Sequence, residues 1–295
     1  MTFTELKYFN AVYTALSVSG AAEILHISQP SVSGAIKQLE KDFGVTLFKR
    51  HHKGVTPTPE GESLFKMSKD ILTRVAEAEN IMKEMGSECK TLRLGIPPMV
   101  SSLILPEIFR DFVKNNPDIS LSATEGGYKE LKEKLENGYI DMAFLPHNSP
   151  FENEISAIHT MRFEMVCAVG TEHMLSKEKA ITPQMLKDVS LVLFDDGFFQ
   201  TEKIKNWFQE KAVSPQIILQ TAQLSSLLNM LKNNMAAGFV FKTLAEKDAS
   251  LTPLKTNPPL YTDVSLVWKK DAYFSLAMKK FCEYVISFFN VYYHF

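Results

Sequence analysis

The stretch "HISQPSVSGAIKQLEKDFGVTLFKR", His26 to Arg50, decides how the chain begins. Ser28 has the side chain of a helix N-cap, and Pro30 suits the first turn, where a missing amide proton costs nothing. Val32, Ala35, Ile36 and Leu39 recur at the spacing of one buried helical stripe, so Gln29 to about Phe43 is expected to be a helix that Gly44 stops. Its other face offers Gln29, Ser31, Ser33, Lys37 and Gln38, short donors and acceptors with one cation, a surface suited to base edges and phosphates. An ordinary solvated amphipathic helix carries a similar face, and the neighbouring residues decide between the two readings.

Upstream, Leu6, Phe9, Val12 and Tyr13 mark one helix. Ala21, Ala22 and Leu25 mark the inner side of a short second one, where two alanines let another helix approach closely. Helix, short connection, helix is the helix-turn-helix arrangement, whose second helix lies in the DNA major groove with its N-terminal residues toward the bases. Downstream, "VTLFKRHHKGVTPTPEG" (residues 45–61) reads as two extended segments around a basic turn, a wing that places Lys49, Arg50 and Lys53 for phosphates.

Residues 1 to about 60 resemble the DNA-binding domain of the LysR-type transcriptional regulators. The family motif is matched by Phe9, Ser17, Ala21, Ala22 and Leu25, then by Ser28, Gln29, Pro30, Val32, Ser33, Ile36, Leu39, Glu40 and Gly44, and finally by Leu47, Phe48, Arg50, Thr58 and Gly61. The resemblance implies a winged helix-turn-helix touching double-stranded DNA through Ser28, Gln29, Pro30, Ser31, Ser33, Lys37, Arg50 and Lys53. Gly34 departs from it, since the family often has a larger polar or basic side chain there, and glycine costs about 1 kcal/mol of helix propensity relative to alanine.

With 295 residues the chain accommodates a small domain and a larger one, and its 45% hydrophobic content is that of a globular protein. No apolar run is long enough for a membrane span and no signal peptide is apparent, so a cytoplasmic location is expected. Cys89, Cys167 and Cys282 are widely separated and odd in number, which suggests neither a disulfide framework nor a metal site; no cofactor is expected. The net charge is −2, yet residues 1–58 carry six cations against four carboxylates, a small positive balance concentrated near the wing. Weak monomeric DNA binding with a strong salt dependence is the physical expectation, and a dimer doubles the phosphate contacts.

Leu64, Ile71, Ala78 and Met85 recur every seven residues, flanked by Met67, Val75, Ile81 and Met82. A long helix with one apolar seam needs a partner, and Leu64, Ile71, Val75, Ala78 and Met82 are the expected dimerisation residues; the alternative is a seam covered by the chain's own C-terminal domain. In the family, the corresponding segment is the linker helix. The expected divisions are a DNA-binding domain at 1–58, a linker helix at 59–86, a hinge at 87–91 and an effector-binding domain at 92–295.

From residue 92 strands and helices alternate, as in "TLRLGI", "ISLSATE" and "YIDMAFLP", and a second such series follows from "FEMVCAV" to "AAGFVF". The fold class expected is α+β in two domains, the second resembling the two-lobed α/β periplasmic-binding-protein fold of the family's effector domain. Lobe I takes about 92–161 and 266–295, and lobe II about 162–265. Ligands of open α/β sheets sit beyond the carboxyl ends of the strands. That points to Met99, Val100, Ser101, Ser102, Gly126, Gly127, Pro146, His147, Phe198 and Gln223 as effector-binding. Ser101 and Ser102 fall in a first helical turn where free amides and hydroxyls suit a carboxylate, so an anionic small molecule is expected; simple capping is the other reading.

Asp195 and Asp196 are adjacent carboxylates of a polar loop, and His51 and His52 belong to a basic wing; none is taken as catalytic or metal-binding. The reading is a ligand-responsive DNA-binding regulator, a homodimer extending to a homotetramer, with RNA polymerase as a further partner. The alternative, an enzyme with an autoregulatory DNA-binding domain, lacks a catalytic constellation.

Overall fold

The structure, a computed structural model, describes residues 1–52, 54–86, 90–151 and 154–292. Lys53 and residues 87–89 of the expected hinge lie outside the described residues, as do the side chains of Ile81 and Met85. Met1–Met85 and Gly86–Phe295 form two compact units.

The first unit contains α1 (Phe3–Ala15), α2 (Val18–Leu25), α3 (Gln29–Phe43), the antiparallel strands β1 (Phe48–His51) and β2 (Gly54–Pro57), and α4 (Pro59–Gly86). Each of the first three helices starts at a polar cap. Thr2 forms a reciprocal capping box with Glu5, the Ser17 hydroxyl accepts the Gly20 amide at 3.1 Å, and Ser28 caps α3. Gly44 ends α3 in the left-handed conformation, as its position in the sequence suggested. Leu6, Phe9, Ala21, Val32, Ile36 and Leu39 meet in one core, and full burial of a side chain such as Phe9 stabilises by about 1.5–3 kcal/mol.

Polar bonds join the wing to this core. The Glu40 carboxylate accepts the amides of Leu47 at 2.9 Å and Phe48 at 3.4 Å, so the last turn of α3 holds the start of β1. The Thr58 hydroxyl donates to the Thr46 carbonyl at 2.6 Å and accepts the Gly61 amide at 3.1 Å, which caps α4. At Gly61 a Cβ would stand 2.3 Å from the Leu47 carbonyl oxygen, so only glycine permits this approach.

The apolar seam of α4 divides in two. Leu64 is buried in the core of its own unit, Phe65 stacks on Tyr13 at 3.8 Å, and Ile71 and Leu72 pack against the same cluster. The Asn10 amide reinforces this with a bond to Ser68 at 2.8 Å. Leu64 and Ile71, expected on an intersubunit seam, therefore have a place within their own unit. Farther along, Val75 is half-buried while Ala78 and Met82 are exposed.

The second unit begins with β3 (Lys90–Ile96), α5 (Pro98–Glu107) and a π-helical continuation (Ile108–Val113). Pro106 lacks the amide proton that a regular helix needs there, which accounts for the change of winding. Next come β4 (Ile119–Glu125), α6 (Tyr128–Glu136), β5 (Met142–His147), β6 (Ile155–Gly170), β7 (Ala180–Ile181), β8 (Ser190–Phe194) and α7 (Phe199–Gln209). The unit closes with β9 (Gln216–Thr221), α8 (Leu224–Lys232), β10 (Ala237–Phe241), α9 (Lys242–Glu246), β11 (Leu251–Lys269) and α10 (Leu276–Tyr292).

Sheet order is β4-β3-β5-β11-β6-β10-β8-β9, with β7 beside β11. β3, β4 and β5 run parallel in lobe I and β8, β9 and β10 in lobe II, while β6 and β11 pair antiparallel through both. The strand expected at Phe163 thus starts at Ile155, and β11 runs unbroken in the chain from Leu251 to Lys269. The register of β6 against β11 breaks between Lys255 and Leu260 and between Val264 and Ser265.

Two glycines of the first unit should respond oppositely to alanine. Around Gly34 nothing lies within 4 Å of a Cβ, so Gly34→Ala should stabilise the unit by about 0.5–1 kcal/mol. Gly61→Ala should destabilise it by about 1–3 kcal/mol through overlap with Leu47. Hydrogen exchange of the α3 and β1 amides in the full chain measures both, and equal effects would contradict the close approach at Gly61.

Candidate functional site

The polar face of α3 is exposed at Ser28, Gln29, Pro30, Ser31 and Lys37 and half-exposed at Ser33. Ser28 and Ser31 share a hydroxyl–hydroxyl bond of 2.7 Å, and Ser28 also accepts the Ser31 amide at 3.4 Å, so both help build the first turn. Gln29 and Lys37 make no side-chain hydrogen bond or ion pair to another described residue. Arg50, on β1, donates from Nη2 to the Ser33 hydroxyl at 3.2 Å. The wing cation therefore lies against the polar face of α3, and one surface presents amide, hydroxyl and guanidinium groups together. Lys53, the remaining residue expected here, is outside the described residues.

In the second unit the expected effector residues stand at or just past the carboxyl ends of β3, β4, β5, β8 and β9, and several of them have other partners. Met99 and Val100 are buried core residues of α5. Ser101 is 3% exposed and its hydroxyl donates to Glu125 Oε1 at 2.5 Å. The Ser102 hydroxyl donates to the Met99 carbonyl at 3.1 Å. The expectation that both hydroxyls are offered to an anion does not hold: one is spent on a carboxylate already standing beside the helix start, and the other on its own helix.

Pro146 is buried within β5. His147 shares a 2.9 Å bond between Nε2 and the Ser265 hydroxyl, which links β5 to β11. Gln223 is exposed and its amide oxygen accepts the Ser226 hydroxyl at 3.0 Å, inside the first turn of α8. Gly126 and Gly127 form the turn into α6. Gly127 has an extended backbone at φ −75° and ψ 166°, open to any residue, yet a Cβ there would lie 2.8 Å from the Gly197 carbonyl oxygen. The reason for glycine is the opposite lobe. The Lys129 amide donates to that same carbonyl at 3.3 Å, and Tyr128 and Phe199 meet with ring centres 5.9 Å apart. Phe198, 6% exposed, stacks on Phe194 at 4.7 Å and stands beside Gly127.

Glu125, Lys129 and Gly197 had not been singled out in the sequence; a carboxylate ending "ISLSATE" just before two glycines was the available signal for the first. Asp196 accepts from Lys205 at 2.5 Å and from Gln220 at 2.9 Å, and the bond from Lys205 above all holds its carboxyl below the usual range. It is a paired surface carboxylate with no acid–base poise. Burial pushes the Cys167 thiol up to about 12, which keeps it an unreactive core residue.

Comparison with known proteins matches both units. A bacterial regulatory helix-turn-helix model of the lysR family matches residues 3–62, and the LysR substrate binding domain matches residues 86–290. Over 295 residues the chain is 27% identical to the uncharacterized HTH-type transcriptional regulator YwbI of Bacillus subtilis (strain 168), covering 98% of this chain and 97% of that one. Full-length CbnR complexed with its target DNA superposes with a TM-score of 0.62 at 23% identity, covering 97% of this chain and 99% of that one. The effector binding domain of QuiR in complex with shikimate gives a TM-score of 0.61 at 22% identity over 69% of this chain and 99% of that one. Among the described residues no helix is long and apolar enough to cross a membrane. A winged helix-turn-helix followed by a two-lobed α/β effector-binding domain, each matched by its own family model, places this chain in the LysR family of DNA-binding transcriptional regulators.

Proposed function

We propose that the first turns of α3 read operator bases in the major groove while Lys37 and Arg50 position the unit on phosphates, and that a small molecule between the lobes modulates this binding. The DNA complex of CbnR supports the first part and the shikimate complex of QuiR the second. The observation that carries the reading is the unpartnered Gln29 on the exposed face of α3, beside the Arg50–Ser33 bond. Gln29 can form two bonds to an adenine edge, whereas Arg50 supplies charge.

An anionic effector, expected from Ser101 and Ser102, loses its hydroxyl donors here and meets Glu125. A ligand that brings its own donors, such as a polyol or an amine, suits that end of the cleft better. The contact of Gly127 and Lys129 with Gly197 makes the lobes' separation the variable that an effector shifts. Self-association falls to the part of α4 that its own unit leaves uncovered, Val75, Ala78 and Met82, and the regulator acts as a homodimer or larger assembly in the cytoplasm.

Gln29→Ala should relax sequence preference by about 1–3 kcal/mol while Arg50→Ala weakens operator and scrambled DNA alike. Titration of both duplexes across a salt series checks this, and a Gln29 variant that loses both equally would remove α3 from base reading. Met82→Asp sets an uncompensated carboxylate on the exposed seam, a cost of several kcal/mol to any helix pair, so sedimentation should show dissociation with the fold intact. Ile71→Asp should instead loosen the first unit itself. At the cleft, Glu125→Gln should weaken a donor-bearing effector roughly tenfold or more. A thermal-shift screen of polyols, amines and carboxylates followed by calorimetry decides it; hits confined to carboxylates and unaffected by Glu125→Gln would refute the assignment.

A further inference from the structure

Next to His147 and Phe198, two of the residues expected at the cleft, a cavity of about 420 Å³ lies between α7 and the interruption of β11 at Pro258 and Pro259. Such a volume suits a small molecule. Its apolar walls include Phe199, Trp207 and Pro259, and its charged groups are Glu202, Lys203 and Glu210. Trp207 is 3% exposed and its indole N–H donates to the Pro258 carbonyl at 3.1 Å, so this wall is held in place from both sides.

Lys203 is half-buried. Its ammonium donates to Asn148 Oδ1 at 2.7 Å and to the Tyr261 carbonyl, and it lies 5.9 Å from the centre of the Phe199 ring. Two neutral oxygens take two of its three protons, and no carboxylate of a described residue forms an ion pair with it. Burial pulls its pKa below the usual lysine range, against the pull of Asp263 and with a smaller push from Arg162. A desolvated cation with a free donor calls for an anionic partner. Glu202 and Glu210, however, are exposed at the rim of the same cavity and repel a simple anion.

We propose that this cavity binds a zwitterion, an α-amino acid with an apolar side chain, its carboxylate on Lys203, its ammonium toward Glu202 and Glu210, and its side chain along Phe199 and Trp207. Charge complementarity selects the class: a carboxylate alone meets two like charges at the rim, an amine alone meets Lys203, and only a ligand carrying both answers both. The site is coupled to the lobes by construction, because Lys203 belongs to α7 of lobe II while Asn148 follows β5 of lobe I and Tyr261 belongs to the crossing strand β11.

Trp207 reports on the cavity directly. The chain has two tryptophans, Trp207 and Trp268, so Trp268→Phe in the full-length protein leaves the cavity wall as the sole indole. Fluorescence titration should show a saturable response to millimolar L-leucine and none to 3-methylbutylamine or 4-methylpentanoate, its decarboxylated and deaminated analogues. Lys203→Met should weaken the leucine response by roughly tenfold or more, the effect of one charge-assisted bond, while Lys205→Met on the same helix should leave it unchanged. The absence of a saturable leucine response, an equal response to either analogue, or undiminished binding in Lys203→Met would each overturn the proposal. The analogue comparison needs no change at Lys203, so it stands even if that variant folds poorly.

Discussion

The antiparallel pairing of β6 with β11 is the interaction on which the effector-binding unit depends. Each strand is long enough to serve both lobes, and every other strand of the sheet attaches, directly or through one or two intervening strands, to one or the other. Because backbone bonds run through the crossings, the lobes are joined by two strands, and the ladder between them is interrupted at two places. One interruption, between Val264 and Ser265, falls near His147, whose ring bonds Ser265; the other precedes Leu260 and opens the cavity beside Trp207. A bulge weakens pairing locally and turns the strand, so both places combine chain continuity with freedom to bend. The proposed response to a ligand draws on that combination, since a ligand needs two discrete arrangements to choose between.

The DNA-binding unit solves a related problem at smaller scale. A two-stranded wing is marginal alone, and here its start is tied to α3 by Glu40 and to α4 by Thr58 and Gly61. These bonds transmit the placement of the recognition helix to the wing, and the Arg50–Ser33 bond continues it on the outer surface. The polar face of α3 and the Arg50 cation of the wing are therefore parts of one surface. The asymmetry of α4 follows from the same packing: its first half completes the core around Tyr13 and Phe65, whereas Ala78 and Met82 farther along are exposed.

The carboxyl ends of the strands show how a site is decided by neighbours more than by residue type. Ser101 and Ser102 have the chemistry of anion ligands, yet a hydroxyl has one proton to give, and those two are given to Glu125 and Met99. Gly127 looks like an ordinary turn glycine, and its real constraint is the Gly197 carbonyl of the opposite lobe.

Much of this was determined by the sequence alone, wherever the controlling interaction is local. Caps at Ser28 and Gly44, the buried stripe Val32, Ile36 and Leu39, and alternating strands and helices after residue 92 all depend on residues within a few positions of each other, so they are legible in order along the chain. The family motif extended this reading to the wing. Tertiary structure alone decided what depends on residues far apart: the partner of Ser101 is 24 positions away and that of His147 is 118. It also decided which part of the α4 seam is covered, because Leu64 and Met82 fit one heptad pattern, yet Leu64 is buried in the core of its unit and Met82 is exposed. The unbroken run of β6 was hidden for the same reason. Arg162 and other polar residues at the crossing interrupt the hydrophobic alternation, and only pairing with β11 keeps them in a strand.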